Sequence, residues 1–127
     1  MKKRIILICL GMLVLLAGCQ ASRPQFTKTD DNSTVSLKAG EEFSVALEGN
    51  PTTGYAWALD DANSSGVEQI GEPDYTSDSS AIGSGGRYVF TFKATQSGEH
   101  VLRLKYWRSF EPDTPPVETF TLSLRVE

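Results

Sequence analysis

The sequence predicts an all-β fold, an immunoglobulin-like antiparallel β-sandwich of about seven short strands. Apolar residues occupy every second position through most of the chain, which is the pattern of strands with one buried face. Gly, Pro, Asn and Asp separate these stretches at short intervals. No segment has a convincing helical period, so nothing in the sequence competes with the all-β interpretation.

Five stretches carry the alternation clearly, and Trp57 in the second is expected to lie in the core. Two weaker candidates at residues 35–37 and 67–75 bring the strand count to seven. The apolar positions of the five clear strands are Phe43, Val45 and Leu47; Tyr55, Trp57 and Leu59; Tyr88, Phe90 and Phe92; Leu102, Leu104 and Tyr106; and Phe120, Leu122, Leu124 and Val126.

The strand count places the connections alternately at the two ends of the sandwich. One end carries polar turns near residues 39–41, 61–66 and 96–98. The other end carries a first loop at 49–54, a second at 76–86 and a third at 107–116, which are the B–C, D–E and F–G loops when the strands are lettered A to G. This second set is rich in Gly and Pro and contains Trp107 and Phe110. It is therefore predicted to be the binding end, named the loop end below.

The N-terminal residues have the pattern of a bacterial lipoprotein signal. A basic segment at 2–4 precedes an apolar run at 5–16, which is shorter than the roughly 20 residues that span a bilayer. The sequence Leu16-Ala17-Gly18-Cys19 then resembles a lipobox, which implies cleavage before Cys19 and acylation of that cysteine. An ordinary signal peptide with a stray cysteine is the alternative.

The expected organisation has three parts. Residues 1–18 form the signal peptide, residues 19–33 form the acylated Cys19 with a flexible tether, and residues 34–127 form the immunoglobulin-like domain. A flexible tether of 14 residues spans roughly 20 Å. The expected location is the bacterial cell envelope, outside the cytoplasm, with acyl chains holding the protein at a membrane.

Composition excludes several classes of function. Without the three basic residues of the signal, nine Lys and Arg oppose 16 Asp and Glu, so the mature charge is −7. An acidic chain without a basic run is a poor nucleic-acid ligand. Cys9 and Cys19 are the two cysteines, so the mature domain is expected to lack a disulfide. No metal-ligand spacing, cofactor motif or catalytic set surrounds His100 or any other residue, and we expect a monomer that is not an enzyme.

The first loop carries the most specific motif. Pro51 fixes its own φ and forces Asn50 to be extended, while Gly54 permits a backbone angle that other residues resist. The threonines between them are stiff and carry hydroxyl groups, so a short, rigid loop with a polar tip is expected. A plain turn would use Pro and Gly in the same way. The motif reads Asn50-Pro51-Thr52-Thr53-Gly54-Tyr55, with Trp57 two positions on.

With this motif the sequence resembles the chagasin family, whose members are immunoglobulin-like inhibitors of papain-type cysteine peptidases. The family's first loop carries Asn-Pro-Thr-Thr-Gly, an aromatic residue and a Trp two positions on, and residues 50–57 match it. The family's second loop is glycine-rich, as are residues 83–86, which include Gly85 and Gly86.

The third loop matches the family only in part. Where the family has Arg-Pro-Trp, this chain has Arg108, Ser109 and Phe110. The arginine is kept, whereas the proline and tryptophan are replaced. Trp107 could supply the indole from the neighbouring position, so two alignments of this loop are open.

The resemblance implies a reversible, non-covalent inhibitor that needs no cofactor and whose partner is a papain-like cysteine peptidase. Thr52 and Thr53 would lie over the catalytic cysteine and histidine of the peptidase, and the second and third loops would lie on either side. The alternative is an envelope-anchored β-sandwich that binds another extracytoplasmic protein. Such a binding module has no reason to carry the motif of residues 50–57.

Overall fold

A computed structural model describes residues 23–127, so the expected signal peptide and Cys19 lie outside the described residues. Two β-sheets pack face to face, and among the described residues no helix has the length and hydrophobicity needed to cross a membrane. The nine strands are β1 (Gln25–Thr27), β2 (Ser33–Leu37), β3 (Glu42–Gly49), β4 (Ala56–Leu59), β5 (Val67–Gln69), β6 (Asp74–Ser77), β7 (Gly86–Ala94), β8 (Gly98–Trp107) and β9 (Glu118–Val126).

The strands divide into two sheets of similar size. Sheet I has the order β1-β3-β7-β5, with β6 also paired to β7, and sheet II has the order β2-β9-β8-β4. The β-sandwich expectation is confirmed, but the sheets are mixed rather than purely antiparallel, since β1 pairs with β3 and β2 pairs with β9 in parallel. β1 lies in sheet I and β2 lies in sheet II, so the segment between them crosses from one sheet to the other instead of forming a hairpin within one sheet. Each of the two strands lies beside a neighbour that runs in its own direction.

The segment expected to be a tether is ordered over much of its length. The Ser44 amide donates to the Pro24 carbonyl oxygen at 3.0 Å, and β1 continues that pairing along β3. The Phe26 ring packs on Phe43 with centroids 6.0 Å apart, which anchors this short strand to the core. A single aromatic residue in a polar segment produces no detectable period, so this strand cannot be predicted from the residue pattern. The described domain thus begins near residue 24 instead of 34.

The weak strand candidate at 67–75 is two short strands. Both β5 and β6 pair antiparallel with β7, and a turn separates them at Gly71, whose φ is 69°. The two strands run in the same direction, so the split does not change which end of the sandwich carries each loop. The reasoning from strand count therefore holds.

The core lies between the sheets and is built from the predicted inward positions. Trp57 is 3% exposed, as expected, and its indole Nε1 donates to the Glu48 carbonyl oxygen of the opposite sheet at 2.9 Å. Among the residues that the structure describes, Leu59 and Tyr106 are only partly buried and pack at the margin of the core. The fully buried members include Phe43, Val45, Phe90, Phe92, Leu102, Leu104, Phe120 and Leu122.

An ion pair fastens the crossing between β1 and β2 to sheet II. The Asp31 carboxylate accepts a hydrogen bond from the Thr121 amide at 2.9 Å and lies 3.2 Å from Lys28 Nζ. Partial burial acts to raise the pKa of Asp31, but the Thr121 amide and Lys28 outweigh it and lower that pKa below its ordinary 3.8. Burial acts to lower the pKa of Lys28, but Glu118 and Asp31 outweigh it and raise that pKa above 10.5.

The lowered pKa of Asp31 predicts acid sensitivity. Its charge stabilises the fold above the unfolded pKa, and that contribution is lost as the pH falls through the folded pKa. Asp31→Asn keeps an acceptor for Thr121 but removes the charge, so we expect a loss of about 1 kcal/mol in unfolding free energy near neutral pH. The difference from wild type should shrink below about pH 4. Urea unfolding at pH 7 and pH 3 measures it.

Asp113→Asn, which changes an exposed carboxylate in the third loop, is the matched control and should show little effect at either pH. An Asp31→Asn deficit of the same size at both pH values would contradict a role for the charge.

Candidate functional site

Strand register brings the three loops together at one end of the sandwich. Gly49 at the end of β3 pairs with Gly86 at the start of β7, and Ser77 at the end of β6 pairs with the same glycine. In sheet II, Ala56 at the start of β4 pairs with Trp107 at the end of β8. All three loops therefore emerge side by side, which confirms the geometric expectation from the strand count.

The first loop is a single 3-10 turn over Pro51–Thr53, closed by Gly54 at a left-handed φ of 82°. Asn50 is extended, with φ −135° and ψ 99°, as its position before proline predicts. Its Oδ1 accepts from the Thr52 amide at 3.1 Å and from the Thr52 hydroxyl at 2.6 Å. The Thr53 hydroxyl donates to the Asn50 carbonyl oxygen at 2.6 Å. Both threonine hydroxyls thus hold the loop in shape, which a plain turn does not require.

Tyr106 attaches this loop to the core. Its hydroxyl oxygen accepts from the Asn50 amide at 2.8 Å and the hydroxyl donates to the Asn50 carbonyl oxygen at 3.3 Å. Its ring stacks on Trp57 with centroids 5.2 Å apart and packs against Tyr55 at 5.5 Å. The alternation of apolar residues assigns Tyr106 only to the core and does not reveal this role. A tyrosine at the last inward position of a strand was the available signal, because a buried hydroxyl needs a partner.

The second loop is bound to the first by one hydrogen bond. Asn50 Nδ2 donates to the Gly83 carbonyl oxygen at 3.0 Å, and a methyl group on Gly85 would lie 3.4 Å from the Gly49 carbonyl oxygen. Gly86 is buried inside β7, where a side chain would collide with the Thr76 carbonyl oxygen of β6. Gly86 therefore permits close strand packing below the loop and offers no contact surface.

Ile82 is an apolar residue of the second loop that lies outside the motifs identified in the sequence. Its side chain is fully exposed. It precedes Gly83, whose carbonyl oxygen accepts the hydrogen bond from Asn50 of the first loop. A lone isoleucine in a Gly- and Ser-rich loop was the signal that could have identified it.

The third loop contacts the first through Arg108. Its Nη2 donates to the Thr53 carbonyl oxygen at 3.2 Å, and its guanidinium lies over the Tyr55 ring at 4.3 Å from the centroid. Glu111 holds the same guanidinium from the other side, with 3.6 Å between Oε2 and Nη1. The guanidinium is thus held within the loop end by three neighbours.

The two aromatic residues of the third loop lie on different surfaces. Phe110 is 67% exposed beside the first loop, where a methyl group on Gly54 would lie 3.1 Å from its Cζ. Ser109 precedes it and is also exposed. Trp107 instead occupies the outer face of sheet II, with Lys105 Nζ 3.8 Å from its ring centroid. The structure therefore groups Phe110, and not Trp107, with the motif of the first loop.

The loop end offers shape and contact surface more than reactive chemistry. Tyr88 approaches Gly49 just below the first loop, and burial raises the pKa of its hydroxyl above the ordinary 10, so that group is neutral at physiological pH. Across residues 23–127, no three His, Cys, Asp or Glu side chains are grouped so as to hold a metal ion. The arrangement is that of a rigid, partly apolar binding surface.

Known proteins are similar to this chain in sequence and in fold. Amoebiasin-1 of Entamoeba histolytica is 36% identical over 104 residues, which cover 80% of this chain and 97% of that protein. The solution structure of Amebosin has a TM-score of 0.68 at 33% identity and covers 84% of this chain and 99% of its own. PbICP-C, solved in complex with falcipain-2, shares the fold at a TM-score of 0.53 and 22% identity, over 84% of this chain and 92% of its own.

A family model described as Chagasin family peptidase inhibitor I42 matches residues 36–124. The match spans most of the chain and includes all three loops. With the first-loop motif, the strand order and these relatives in agreement, the chain belongs to the chagasin family of peptidase inhibitors.

Proposed function

We propose that this chain inhibits papain-like cysteine peptidases reversibly and without a covalent bond, by blocking the substrate cleft with the three loops of its loop end. Membership of a family of inhibitors, not enzymes, supports the inhibition itself. The observation that carries the mechanism is the rigid turn at 51–53, together with the exposed apolar side chains Ile82 and Phe110 on the other two loops. These features favour an inhibitor over a binding module for some other envelope protein.

The rigidity of the first loop accounts for inhibition without cleavage. The hydrogen bonds from Thr52 and Thr53 to Asn50 hold the turn before any partner arrives, so binding orders little of the loop. The same bonds keep the backbone carbonyls of the turn from adjusting to the geometry that nucleophilic attack requires. Thr52 and Thr53 would occupy the space above the catalytic cysteine and histidine of the peptidase.

The second and third loops would supply most of the binding energy. Interfaces of about 800 Å² per partner reach nanomolar affinity when a few anchors are buried centrally. Phe110 and Ile82 are the exposed apolar side chains available on the two loops. Arg108 is already engaged by Tyr55 and Thr53, which favours a role in positioning the third loop.

We further propose that Cys19 carries acyl chains and holds a monomeric domain at the bacterial cell envelope. The support is the order of a basic segment, an apolar run and Leu16-Ala17-Gly18-Cys19. The mature charge of −7 offers no attraction to anionic lipids, so the acyl chains would do the anchoring.

The first prediction from this proposal concerns inhibition and the register of the third loop. Titrating papain with the fragment 20–127 should abolish activity stoichiometrically and reversibly, with no mass adduct. Phe110→Ala should raise the inhibition constant by roughly 30-fold, about 2 kcal/mol, because it removes a central anchor.

Trp107→Ala is the matched control, since it removes an aromatic residue from the outer face of sheet II. It should leave the inhibition constant nearly unchanged while the domain remains folded by circular dichroism. If Trp107→Ala is the costly change and Phe110→Ala is mild, the third loop uses the other register. If neither changes the constant, that loop does not touch the peptidase.

The second prediction isolates the link between core and loop. Tyr106→Phe keeps the ring stack on Trp57 but leaves the Asn50 amide without its partner. We expect a loss of about 1–2 kcal/mol in binding to papain, or roughly tenfold in the inhibition constant. Tyr88→Phe, which removes a hydroxyl from the opposite sheet, should have little effect. Equal inhibition constants for the two variants would show that the Tyr106 hydroxyl does not position the loop.

The third prediction tests the anchor. Cys19→Ser removes the sulfur that would carry the acyl chain, so the variant should remain uncleaved or be released without lipid. Detergent phase partitioning and intact mass of wild type and variant measure the difference. Partitioning of both proteins into the aqueous phase would reject the lipid anchor and leave the inhibition proposal untouched.

A further inference from the structure

The described residues begin at the end of the sandwich opposite to the three loops. Pro24 lies beside Ser44 near the start of β3, and the Arg23 guanidinium is 2.7 Å from the Glu42 carboxylate, the first residue of that strand. From there β3 runs to Gly49, where the first loop begins. We call this opposite end, with the turn at 38–41 and the C-terminal Glu127 beside it, the base.

From this placement we infer that the membrane-anchored protein stands on its base, with the three loops facing away from the membrane toward a peptidase that diffuses in the surrounding medium. The inference rests on the acylated Cys19 of the proposed function. It adds the orientation of the inhibitory surface and the kind of target that can reach it.

The number of residues between Cys19 and Pro24 limits the possible orientations. Four residues, 20–23, separate Cys19 from Pro24, so that segment spans at most about 17 Å when fully extended. The eight residues of β3 place the loops roughly 23 Å above the base. An inverted domain, with its loops on the lipid, would need the chain to cover the height of the sandwich, which exceeds that span. The ordering of β1 therefore removes the freedom that a 14-residue tether would have given.

Charge distribution favours the base as the side nearest the lipid. Two ion pairs lie at the base, Arg23–Glu42 at 2.7 Å and Arg125–Glu99 at 3.9 Å, so part of its acidic charge is balanced there. The described residues as a whole hold nine basic and 16 acidic side chains, a net charge of −7. An anionic membrane surface repels such a domain, and the surface whose charges are paired is repelled least.

The orientation restricts the target. Loops that stand roughly 23–40 Å from the lipid can enter the cleft of a peptidase approaching from solution. They do not reach a cleft that opens close to the same bilayer. The protein would thus inhibit peptidases in the medium outside the membrane that carries it.

The experiment uses the full acylated protein in phosphatidylcholine vesicles that contain phosphatidylglycerol. Lys38→Cys at the base and Ser80→Cys in the second loop each receive a fluorophore, and a head-group-labelled quencher lipid is added to the vesicles. The label at 38 should be strongly quenched and the label at 80 only weakly. Equal quenching at the two positions, or stronger quenching at 80, would overturn the proposed orientation.

Inhibition provides the second readout. Vesicle-bound protein and the free fragment 20–127 should inhibit papain with constants that agree within about twofold. A constant that is about tenfold higher on vesicles, and that recovers when a flexible linker is inserted after Gln20, would show that the loops face the lipid. Failure of the wild type to float with the vesicles would reject the anchor and this inference together, whereas equal quenching in floating protein rejects the orientation alone.

Discussion

The hydrogen bonds between the Tyr106 hydroxyl and the backbone of Asn50 are the interaction on which the loop end depends. They connect a strand of sheet II to the first residue after β3 in sheet I. From Asn50 the side-chain amide reaches the second loop at Gly83, and from Thr53 the carbonyl oxygen reaches Arg108 in the third. The three loops therefore form one hydrogen-bonded structure. The second loop is bound directly to Asn50, and the third is bound to it through Thr53.

The sandwich beneath this network is held together by core packing and by a hydrogen bond between the two sheets. Trp57 fills the core near the loops and bonds to the Glu48 carbonyl oxygen across the gap between the sheets. The short outer strands β1, β2, β4, β5 and β6 leave little unpaired backbone at the sheet edges, which limits pairing with other chains. The three loops of the loop end can thus remain exposed on a domain whose sheet edges are poor templates for aggregation.

Local patterns predicted the parts of this molecule that local physics determines. Period-two alternation located the long strands, and the constraints of Pro51 and Gly54 predicted the rigid turn. Strand β1 escaped prediction because its attachment depends on one aromatic residue, Phe26, and on pairing with a distant strand. The division of the weak strand into β5 and β6 depends on a left-handed Gly71, which the sequence alone does not distinguish from any other glycine.

The candidate site, too, could be predicted only in part. Its location and its motif could be predicted from the sequence, but the hydrogen-bond partners of its side chains could not, because these bonds join residues far apart in the chain. The hydroxyl of Tyr106 meets Asn50 across 56 positions, and Arg108 meets Thr53 across 55. Gly86 shows the opposite case. The glycine-rich pattern predicts a residue of the loop surface, whereas the structure shows a buried glycine that is required by the close approach of β6.

The connections among the loops end mostly on main-chain atoms, namely the amide and carbonyl of Asn50 and the carbonyls of Thr53 and Gly83. The side chains of Ile82 and Phe110 are exposed and take no part in these hydrogen bonds. Under the proposed function, placement and recognition would be carried by different atoms. Mutation at positions 82 and 110 would then alter which peptidases are recognised while these hydrogen bonds stay intact, which would give the domain a route to new targets through single substitutions.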